Sequence, residues 1–429
     1  MLAAATRRSA PAAAAAWRGL ATTAAPGAGD GAAGGGAPPL PTPPPGRYLI
    51  TGALGQLGHE LVAALAAAPG VESILATDVR PEPARAAPLP AGVGYARLDV
   101  TDGAAVMEGG YRGVGRAGGA CFGGRRRLAP TPLFLLSLAC RGHATTHVIH
   151  LAAVLSAAGE RAPGMALRVN AGGSAAVLDA AATLGAAVFA PSTVAVYGRA
   201  APSLNCPDDA PQLPTTMYGV TKAHQELLGA YAAASRGVDY RSLRLPGVLS
   251  AGHPPGGGTT DYACAIFEAA VKGERFSCFL GPDRALPFAH ADDVVRGTLV
   301  LMAAPRHSLK RTTYSVQGAS FTPGELVACL RARGAPRLSV AFDPDFRDAI
   351  AASWPASLDD ANARDDWGWA PRLGLEGMVD GLLAETEARL RAARGPRAAA
   401  AARAAAAART AAARGAQLAA ATAAAAGGA

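Results

Sequence analysis

The chain has 429 residues and a formal net charge of +8, a length sufficient for one or two domains with a sizeable core. No apolar run approaches the ~20 residues that a membrane span needs. The six cysteines show neither a CxxC spacing nor a neighbouring histidine cluster, so the sequence predicts no transmembrane segment, zinc site or disulfide framework.

The positive charge is concentrated in three segments. Residues 1–46, 109–144 and 388–429 carry net charges of +2, +6 and +7, which leaves −7 on the rest of the chain. Because the predicted globular part is therefore mildly acidic, the sequence does not indicate a nucleic-acid-binding protein.

Residues 1–46 read as a presequence and a Gly/Pro-rich linker. The first 30 residues are rich in alanine, contain Arg7, Arg8 and Arg18, and have no acidic residue before Asp30. This composition is typical of an organellar targeting segment. We therefore predict a mitochondrial location, with a plastid as the alternative; the other interpretation is a disordered leader with no targeting role.

An alternation of strands and helices begins at Arg47. Strands are expected over 48–51 and 73–78, with a helix over 59–68 between them, and two further strands follow. This alternation predicts an α/β fold, a Rossmann-type doubly wound parallel sheet.

The predicted domains follow from this order. We expect a Rossmann domain over residues 47–250 and a smaller, mainly substrate-binding region over 251–387. The tail, 388–429, is rich in alanine and arginine, has no apolar stripe, and is assigned no function. Residues 109–144 are glycine-rich and aperiodic and exceed what a strand–helix–strand step needs. They are predicted to be a disordered insertion or a retained, translated intron.

A glycine motif follows the first predicted strand at Gly52, Gly55 and Gly58. The absence of side chains permits a tight turn and lets a dinucleotide pyrophosphate approach the N-terminus of the next helix. A glycine triplet alone is weak evidence, but here it lies between a predicted strand and a predicted helix.

Asp78 ends the second predicted strand, 20 residues after Gly58. A carboxylate there accepts hydrogen bonds from the ribose hydroxyls and repels the extra phosphate of NADP, so NAD is the predicted cofactor. Arg80 weakens this preference, and a surface aspartate is the alternative interpretation. Asp99 and Val100 are placed to meet the adenine.

A second motif, Tyr218-x-x-x-Lys222, predicts the catalytic base. The two residues lie one turn apart on one helix face. A free phenol titrates near ~10, and a neighbouring ammonium together with an oxidised nicotinamide favours the phenolate. Lys222 is also predicted to bind the nicotinamide ribose.

The GxxGxxG spacing together with Tyr-x-x-x-Lys resembles the extended short-chain dehydrogenase/reductase family. The resemblance implies that Thr193 supplies the catalytic hydroxyl, with Ser192 as the second choice, unless both only end a strand. It implies a structural role for Asn170. It also implies further cofactor contacts from residues that flank the motifs, namely Gln56, Leu57, Leu151, Ala152, Ala153 and Pro246.

Longer motifs resemble the branch of this family that oxidises L-threonine. They occupy residues 150–157, 214–219, 244–250, 256–263 and 353–369. The resemblance implies NAD-dependent oxidation of L-threonine at C3 to 2-amino-3-oxobutanoate, by a homodimer and without a metal ion.

The loop that ends in Thr259, Thr260 and Asp261 is the predicted substrate site. Its threonine hydroxyls and backbone, with Ser156, are expected to bind the carboxylate of an amino acid, and Asp261 to pair with the ammonium. Because these residues precede an apolar stretch, helix capping is the alternative for each of them.

Two other functions stay open. A nucleotide-sugar 4-epimerase or dehydratase with tightly bound NAD is disfavoured, because such enzymes commonly have an asparagine where Gly247 stands. A non-catalytic NAD sensor is disfavoured by the intact set of Tyr218, Lys222 and Thr193.

Overall fold

The computed structural model describes residues 40–81, 89–103, 139–251 and 256–393. Its strands, in chain order, are β1 (Gly46–Thr51), β2 (Val71–Asp78), β3 (Val93–Arg97), β4 (His147–His150), β5 (Ala187–Phe189), β6 (Ser192–Thr193), β7 (Tyr240–Leu245), β8 (Gly247–Leu249), β9 (Arg275–Cys278), β10 (Leu286–His290), β11 (Thr313–Ser315), β12 (Ala319–Phe321) and β13 (Ser339–Phe342).

The α-helices in this part of the chain are α1 (Gln56–Ala67), α2 (Ser156–Arg161), α3 (Pro163–Ala166), α4 (Gly173–Leu184), α5 (Met217–Arg236), α6 (Tyr262–Lys272), α7 (Ala291–Ala303), α8 (Pro323–Arg333), α9 (Phe346–Ala351), α10 (Ala361–Trp367) and α11 (Leu375–Ala393). A π-helical turn, Leu167–Gly172, joins α3 to α4. None of the described helices is long and apolar enough to cross a membrane.

The central sheet is parallel, with the strand order β11-β7-β5-β4-β1-β2-β3, and β6 pairs with β7. This confirms the predicted α/β, Rossmann-type fold. Because all the strands run the same way, their carboxyl ends meet at one edge, where such folds bind dinucleotides.

Helices cover both faces of this sheet. Along β1 the side chains alternate: Tyr48 and Ile50 belong to the core under α1 and α7, while Leu49 belongs to the core under α4. Burial on both faces explains why the strands are almost continuously apolar. A separate core, which includes Phe267, Phe288 and other apolar side chains, holds the smaller β-structure together.

Two elements of the predicted second region, residues 251–387, pack with the central sheet. Residues 291–303 form α7, which contributes to the core of the central sheet, and Thr313–Ser315 adds the edge strand β11 beside β7. These two elements of the predicted second region therefore pack with the central sheet, because long-range contacts return the chain to it.

The fold also extends past three predicted boundaries. Leu40 packs against the core, and the Tyr48 hydroxyl donates to the Pro44 carbonyl at 2.6 Å, although both residues fall in the predicted linker. Cys140 is fully buried, so residues 139–144 belong to the fold and not to an insertion. Helix α11 continues to Ala393. The remainder of these segments, residues 1–39, 104–138 and 394–429, lies outside the described residues.

Candidate active site

The glycine motif forms a backbone cradle at the end of β1. Gly52 has φ +69°, a conformation that favours glycine, and a Cβ on it would lie 2.6 Å from the Ala152 nitrogen. A Cβ on Gly58 would lie 2.6 Å from the carbonyl oxygens of both Gly52 and Ala53. Gly55 caps α1 without any side-chain hydrogen bond. The donors and the space therefore suit a pyrophosphate against bare backbone.

Residues predicted to flank this cradle lie beside it. The Leu151 N–H donates to the Thr51 carbonyl at 3.0 Å, which places the chain from Leu151 to Ala153 against the glycine turn. Gln56 is the first residue of α1, and its side chain donates to Ser250 Oγ at 2.8 Å and to the Val248 carbonyl. Leu57 follows it and packs against the sheet core, and Pro246 links β7 to β8.

Asp78 lies at the carboxyl end of β2, as predicted, and only 6 % of its surface is exposed. One carboxylate oxygen accepts from the Leu54 N–H at 3.1 Å, and Arg80 donates to both oxygens at 3.0 Å. Burial alone would raise the pKa of Asp78, but the hydrogen bonds from Arg80 and Leu54 outweigh it and leave the pKa below its usual range. The carboxylate is thus ionised, and Arg80 occupies part of its capacity to accept hydrogen bonds.

Asp99 and Val100, the two predicted adenine contacts, have different surroundings. The Asp99 carboxylate accepts from the Thr101 N–H at 2.8 Å and from its hydroxyl at 2.7 Å, so it stabilises the following turn. Val100 is buried, and a Cβ on Gly173 would lie 2.9 Å from it. Val100 therefore packs against the first residue of α4.

Tyr218 lies in the first turn of α5, against Thr193. Gly219 makes this approach possible, because a Cβ there would overlap the Ala195 carbonyl oxygen. At the other side, the Met217 N–H donates to Glu160 Oε1 at 2.7 Å, which fixes the start of α5 against α2. Burial raises the pKa of Tyr218 to about 12, and a hydrogen bond with Thr193 opposes the rise.

The two candidate hydroxyls before α5 have different partners. Thr193 lies close enough to Tyr218 to lower the pKa of the phenol, and it accepts from the Ala195 N–H at 3.2 Å. Ser192 instead donates to Glu226 Oε1. The geometry therefore favours Thr193 over Ser192 as the hydroxyl that meets the substrate oxygen.

Lys222 is buried one turn after Tyr218, and its ammonium donates to the Pro191 carbonyl at 2.8 Å and to Gln225 Oε1 at 3.0 Å. Burial lowers the pKa of Lys222 to about 8, and the negative charge of Glu226 opposes this shift. The expected depression of the Tyr218 pKa is therefore not produced by the protein alone, since burial of the phenol dominates.

Asn170 has the predicted structural role. It lies in the π-helical turn, where its side chain accepts from the Val154 N–H at 2.8 Å and donates to the Val154 carbonyl and to Thr221 Oγ1 at 3.0 Å. These bonds join the chain after β4 to α5. Every polar atom of the amide is used in holding the two segments together.

The predicted substrate loop, which is described from Gly256, folds onto the start of α2. Ser156 Oγ lies 2.9 Å from Thr259 Oγ1 and accepts from the Thr259 N–H at 3.1 Å, and both residues are buried. Thr260 is half-buried. The hydroxyls of Ser156 and Thr259 are therefore paired with each other.

Asp261 lies at the N-cap position of α6, but its side chain makes no capping bond. Its carboxylate accepts from the Gly257 N–H at 2.9 Å and the Gly258 N–H at 2.8 Å. Burial raises the pKa of Asp261, and the hydrogen bonds from the loop together with the charge of Arg347 oppose that rise. The carboxylate thus closes the loop and does not cap the helix.

Gly247 leaves no room for a side chain. A Cβ there would lie 2.6 Å from ring carbons of Phe288, its register partner on β10, and 3.1 Å from Thr260 Cγ2. The asparagine that the sugar-nucleotide enzymes commonly have at this position would need a different packing of β8 on β10.

Three residues of the site were not predicted. Gln225, Glu226 and Arg244 are buried beside the catalytic segment. Gln225 and Glu226 follow Lys222 at helical spacing, so helix periodicity would have placed them on its face. Among the described residues there is no group of three histidine, cysteine or acidic side chains that is arranged for a metal ion.

Comparison with known proteins agrees with this site. Residues 135–316 match the NAD dependent epimerase/dehydratase family. The chain is 39 % identical over 338 residues to the mitochondrial L-threonine 3-dehydrogenase of Bos taurus, covering 79 % of this chain and 82 % of that protein.

Solved structures agree in fold and sequence. The holo form of a GalE-like L-threonine dehydrogenase from Cupriavidus necator is 38 % identical, with a TM-score of 0.69 over 79 % of this chain and 99 % of that one. The L-threonine dehydrogenase of Phytophthora infestans is 37 % identical, with a TM-score of 0.68 over 80 % and 99 % of the two chains.

These similarities imply an oxidoreductase with a nicotinamide dinucleotide cofactor and a small-molecule substrate. The chain belongs to the NAD-dependent epimerase/dehydratase family, the extended short-chain dehydrogenases/reductases, and within it groups with the L-threonine 3-dehydrogenases in sequence and structure.

Proposed function

We propose that this protein oxidises L-threonine at C3 to 2-amino-3-oxobutanoate, using NAD. The observation that carries the proposal is the placement of Tyr218 next to Thr193, in a chain whose glycine turn suits a pyrophosphate and that groups with L-threonine 3-dehydrogenases. A base and an orienting hydroxyl next to a dinucleotide site are what the oxidation of a secondary alcohol requires.

The cradle at Gly52, Gly55 and Gly58 would hold the pyrophosphate, and Asp78 the adenosine ribose. When bound, the oxidised nicotinamide supplies a hydride acceptor and a positive charge. The ionised Asp78 supports NAD over NADP, because a second phosphate would be repelled.

Tyr218 takes the proton of the substrate hydroxyl, and Thr193 holds that oxygen within reach of the phenolate. Lys222 contributes an ammonium that favours the phenolate and binds the nicotinamide ribose. Since burial of Tyr218 raises its pKa to about 12, these positive charges are needed to make the base effective near neutral pH.

Ser156, Thr259 and Thr260 are assigned to the substrate carboxylate, and Asp261 to its ammonium. The support is their placement: Ser156 and Thr259 form a hydroxyl pair, and the half-buried Asp261 carboxylate closes the same loop. A partly buried carboxylate gains from an ammonium partner, because desolvation disfavours it alone.

The runner-up, a nucleotide-sugar epimerase or dehydratase, is less well supported. Phe288 fills the space in which an asparagine at residue 247 would have to lie. The loop that follows is closed by Asp261, and its hydroxyls and carboxylate suit the polar groups of an amino acid.

We further propose a mitochondrial homodimer. The mammalian relative is named as mitochondrial, which agrees with the Arg-rich leader; nothing supports the plastid alternative. On α5, Val220, Leu227 and Tyr231 are 45 %, 69 % and 61 % exposed and form one apolar stripe, which a second copy would cover. No nucleic-acid or membrane partner is proposed. In analytical ultracentrifugation, the protein should sediment with twice the mass of the monomer.

The deciding experiment follows NADH absorbance with L-threonine or UDP-sugars as substrate. The wild-type protein should form NADH only with threonine. Tyr218→Phe should lower turnover at least about 100-fold while NAD still binds. Tyr231→Phe keeps the ring of an exposed tyrosine on the same helix and so preserves the apolar stripe; it is the matched control and should keep full activity. Turnover of a UDP-sugar without net NADH release would overturn the proposal in favour of an epimerase.

A further inference from the structure

Glu226 is a buried carboxylate that the proposed chemistry does not use. It lies on α5, one turn after Lys222, and is 5 % exposed. Arg244 donates to it through Nε at 3.0 Å and Nη2 at 2.7 Å, Gln212 at 2.6 Å, and Ser192 through its hydroxyl. Burying a charge is costly unless it is paired and hydrogen-bonded, and here every donor comes from a different segment.

Arg244 extends this arrangement into the rest of the molecule. Its Nη1 donates to the Tyr197 hydroxyl at 2.7 Å and to the Asp208 carbonyl at 2.6 Å. The Asp208 carboxylate in turn accepts from the Ser315 N–H at 2.7 Å and from Asn362 Nδ2 at 3.0 Å. The pair of Glu226 and Arg244 is therefore linked through Asp208 to β11 of the central sheet and to α10.

The same pair touches the strand that carries the catalytic hydroxyl. Ser192 lies opposite Arg244 in the pairing of β6 with β7, and Thr193 lies opposite Leu245. Because Ser192 is bonded to Glu226, the next residue, Thr193, is held in a fixed direction toward Tyr218.

We propose that Glu226 is a positioning residue for the reaction. Clamped by Arg244, it holds Ser192 so that Thr193 faces Tyr218, and it places a negative charge one helical turn from the side chain of Lys222. This role rests on the proposed function. It assigns to the buried pair an effect on the catalytic groups beyond the stability of the fold.

The direction of the charge effect follows from the groups around Lys222. Burial lowers its pKa to about 8, and Glu226 is the group that raises it. The other charged or titratable groups around Glu226 and Lys222 are Tyr218, Arg244, Asp208, Tyr197 and Tyr240, together with His150, whose pKa burial lowers to about 3. Removing the Glu226 charge leaves Arg244 in place, so the pKa of Lys222 falls further.

Two variants separate the two effects. Glu226→Gln removes the charge and leaves one carbonyl oxygen for several donors. Ser192→Ala removes only the link to β6. Glu268→Gln, a carboxylate on α6 that forms surface ion pairs, is the matched control.

The first readout is the pH dependence of kcat/KM for threonine. Glu226→Gln should lower kcat about 10-fold and move the alkaline limb to lower pH, because Lys222 loses its proton earlier. Ser192→Ala should lower kcat without moving that limb. Glu268→Gln should match the wild type.

The second readout needs no turnover. With NAD bound, the tyrosinate absorbance that Tyr218→Phe abolishes reports the phenolate of Tyr218. Its midpoint should move to higher pH in both Glu226→Gln and Ser192→Ala, because the hydrogen bond from Thr193 that lowers the pKa is weakened.

The outcomes are distinguishable. If threonine yields no NADH with the wild type, the proposed function fails, while the tyrosinate titration still tests the role of Glu226. If Glu226→Gln only lowers Tm and leaves both the pH profile and the tyrosinate midpoint unchanged, Glu226 is a structural partner of Arg244 and the inference is overturned.

Discussion

Gly58→Ala tests the cofactor cradle through a single methyl group. The added Cβ would lie 2.6 Å from the carbonyl oxygens of Gly52 and Ala53, closer than real Cβ contacts come. Both acceptors are backbone atoms of the turn that meets the pyrophosphate. Neither can rotate away as a side chain would, so the turn itself must move.

The expected magnitude follows from this overlap. Overpacking of a rigid site costs about 1–3 kcal/mol. In the free protein the turn relieves part of this strain, and the better helix propensity of alanine offsets up to ~1 kcal/mol. Binding NAD requires the turn in its original position, so the strain returns. We expect NAD to bind about 5- to 150-fold more weakly.

Calorimetric titration with NAD measures the effect directly, and thermal unfolding separates it from loss of structure. Gly381→Ala in α11 is the matched control, because no atom lies within 4 Å of the added Cβ. It should bind NAD normally and gain up to ~1 kcal/mol of stability from helix propensity. If Gly58→Ala bound NAD as tightly as the wild type, the backbone cradle would not be the pyrophosphate site.

Three further predictions concern the substrate and the base. Thr193→Val, which removes one hydroxyl, should lower kcat about 100-fold with little change in NAD affinity. A kcat equal to that of the wild type in steady-state kinetics would exclude Thr193 as the catalytic hydroxyl. Asp261→Asn keeps an acceptor for the Gly257 and Gly258 amides but removes the charge, so KM for threonine should rise more than kcat falls; an unchanged KM would leave Asp261 only its loop-closing role. Because the pKa of Tyr218 is raised to about 12 and its deprotonated form is the base, kcat/KM should increase from about pH 6 to pH 8, and a profile falling over that range would contradict the assignment.

Much of the cofactor site could be predicted from the sequence because its causes are local. Gly52 and Gly58 follow a short apolar strand, and the structure shows a positive φ at the first and a backbone contact at the second. Tyr218 and Lys222 share a face of α5 because their spacing is one helical turn.

It was harder to predict from the sequence which segments pack into the fold. Cys140 lies in a stretch that looks like the rest of a glycine- and proline-rich insertion, yet its side chain is fully buried. Burial depends on what packs against a residue, and composition does not contain that information. The same holds for β11, which joins the sheet only by pairing with β7, about 70 residues earlier in the chain.

The sequence by itself determined the fold class, the cofactor class and the pair of Tyr218 and Lys222, since each follows from periodicity or from a short motif. Only the tertiary structure distinguishes the surroundings of Ser192 and Thr193, because Glu226, a side chain on another element, takes the Ser192 hydroxyl. It also shows that the Asp261 carboxylate closes its own loop and that the Asp78 carboxylate accepts a hydrogen bond from Arg80. Hydrogen-bond direction is set by atoms that the fold brings together, and no local pattern in the chain records it.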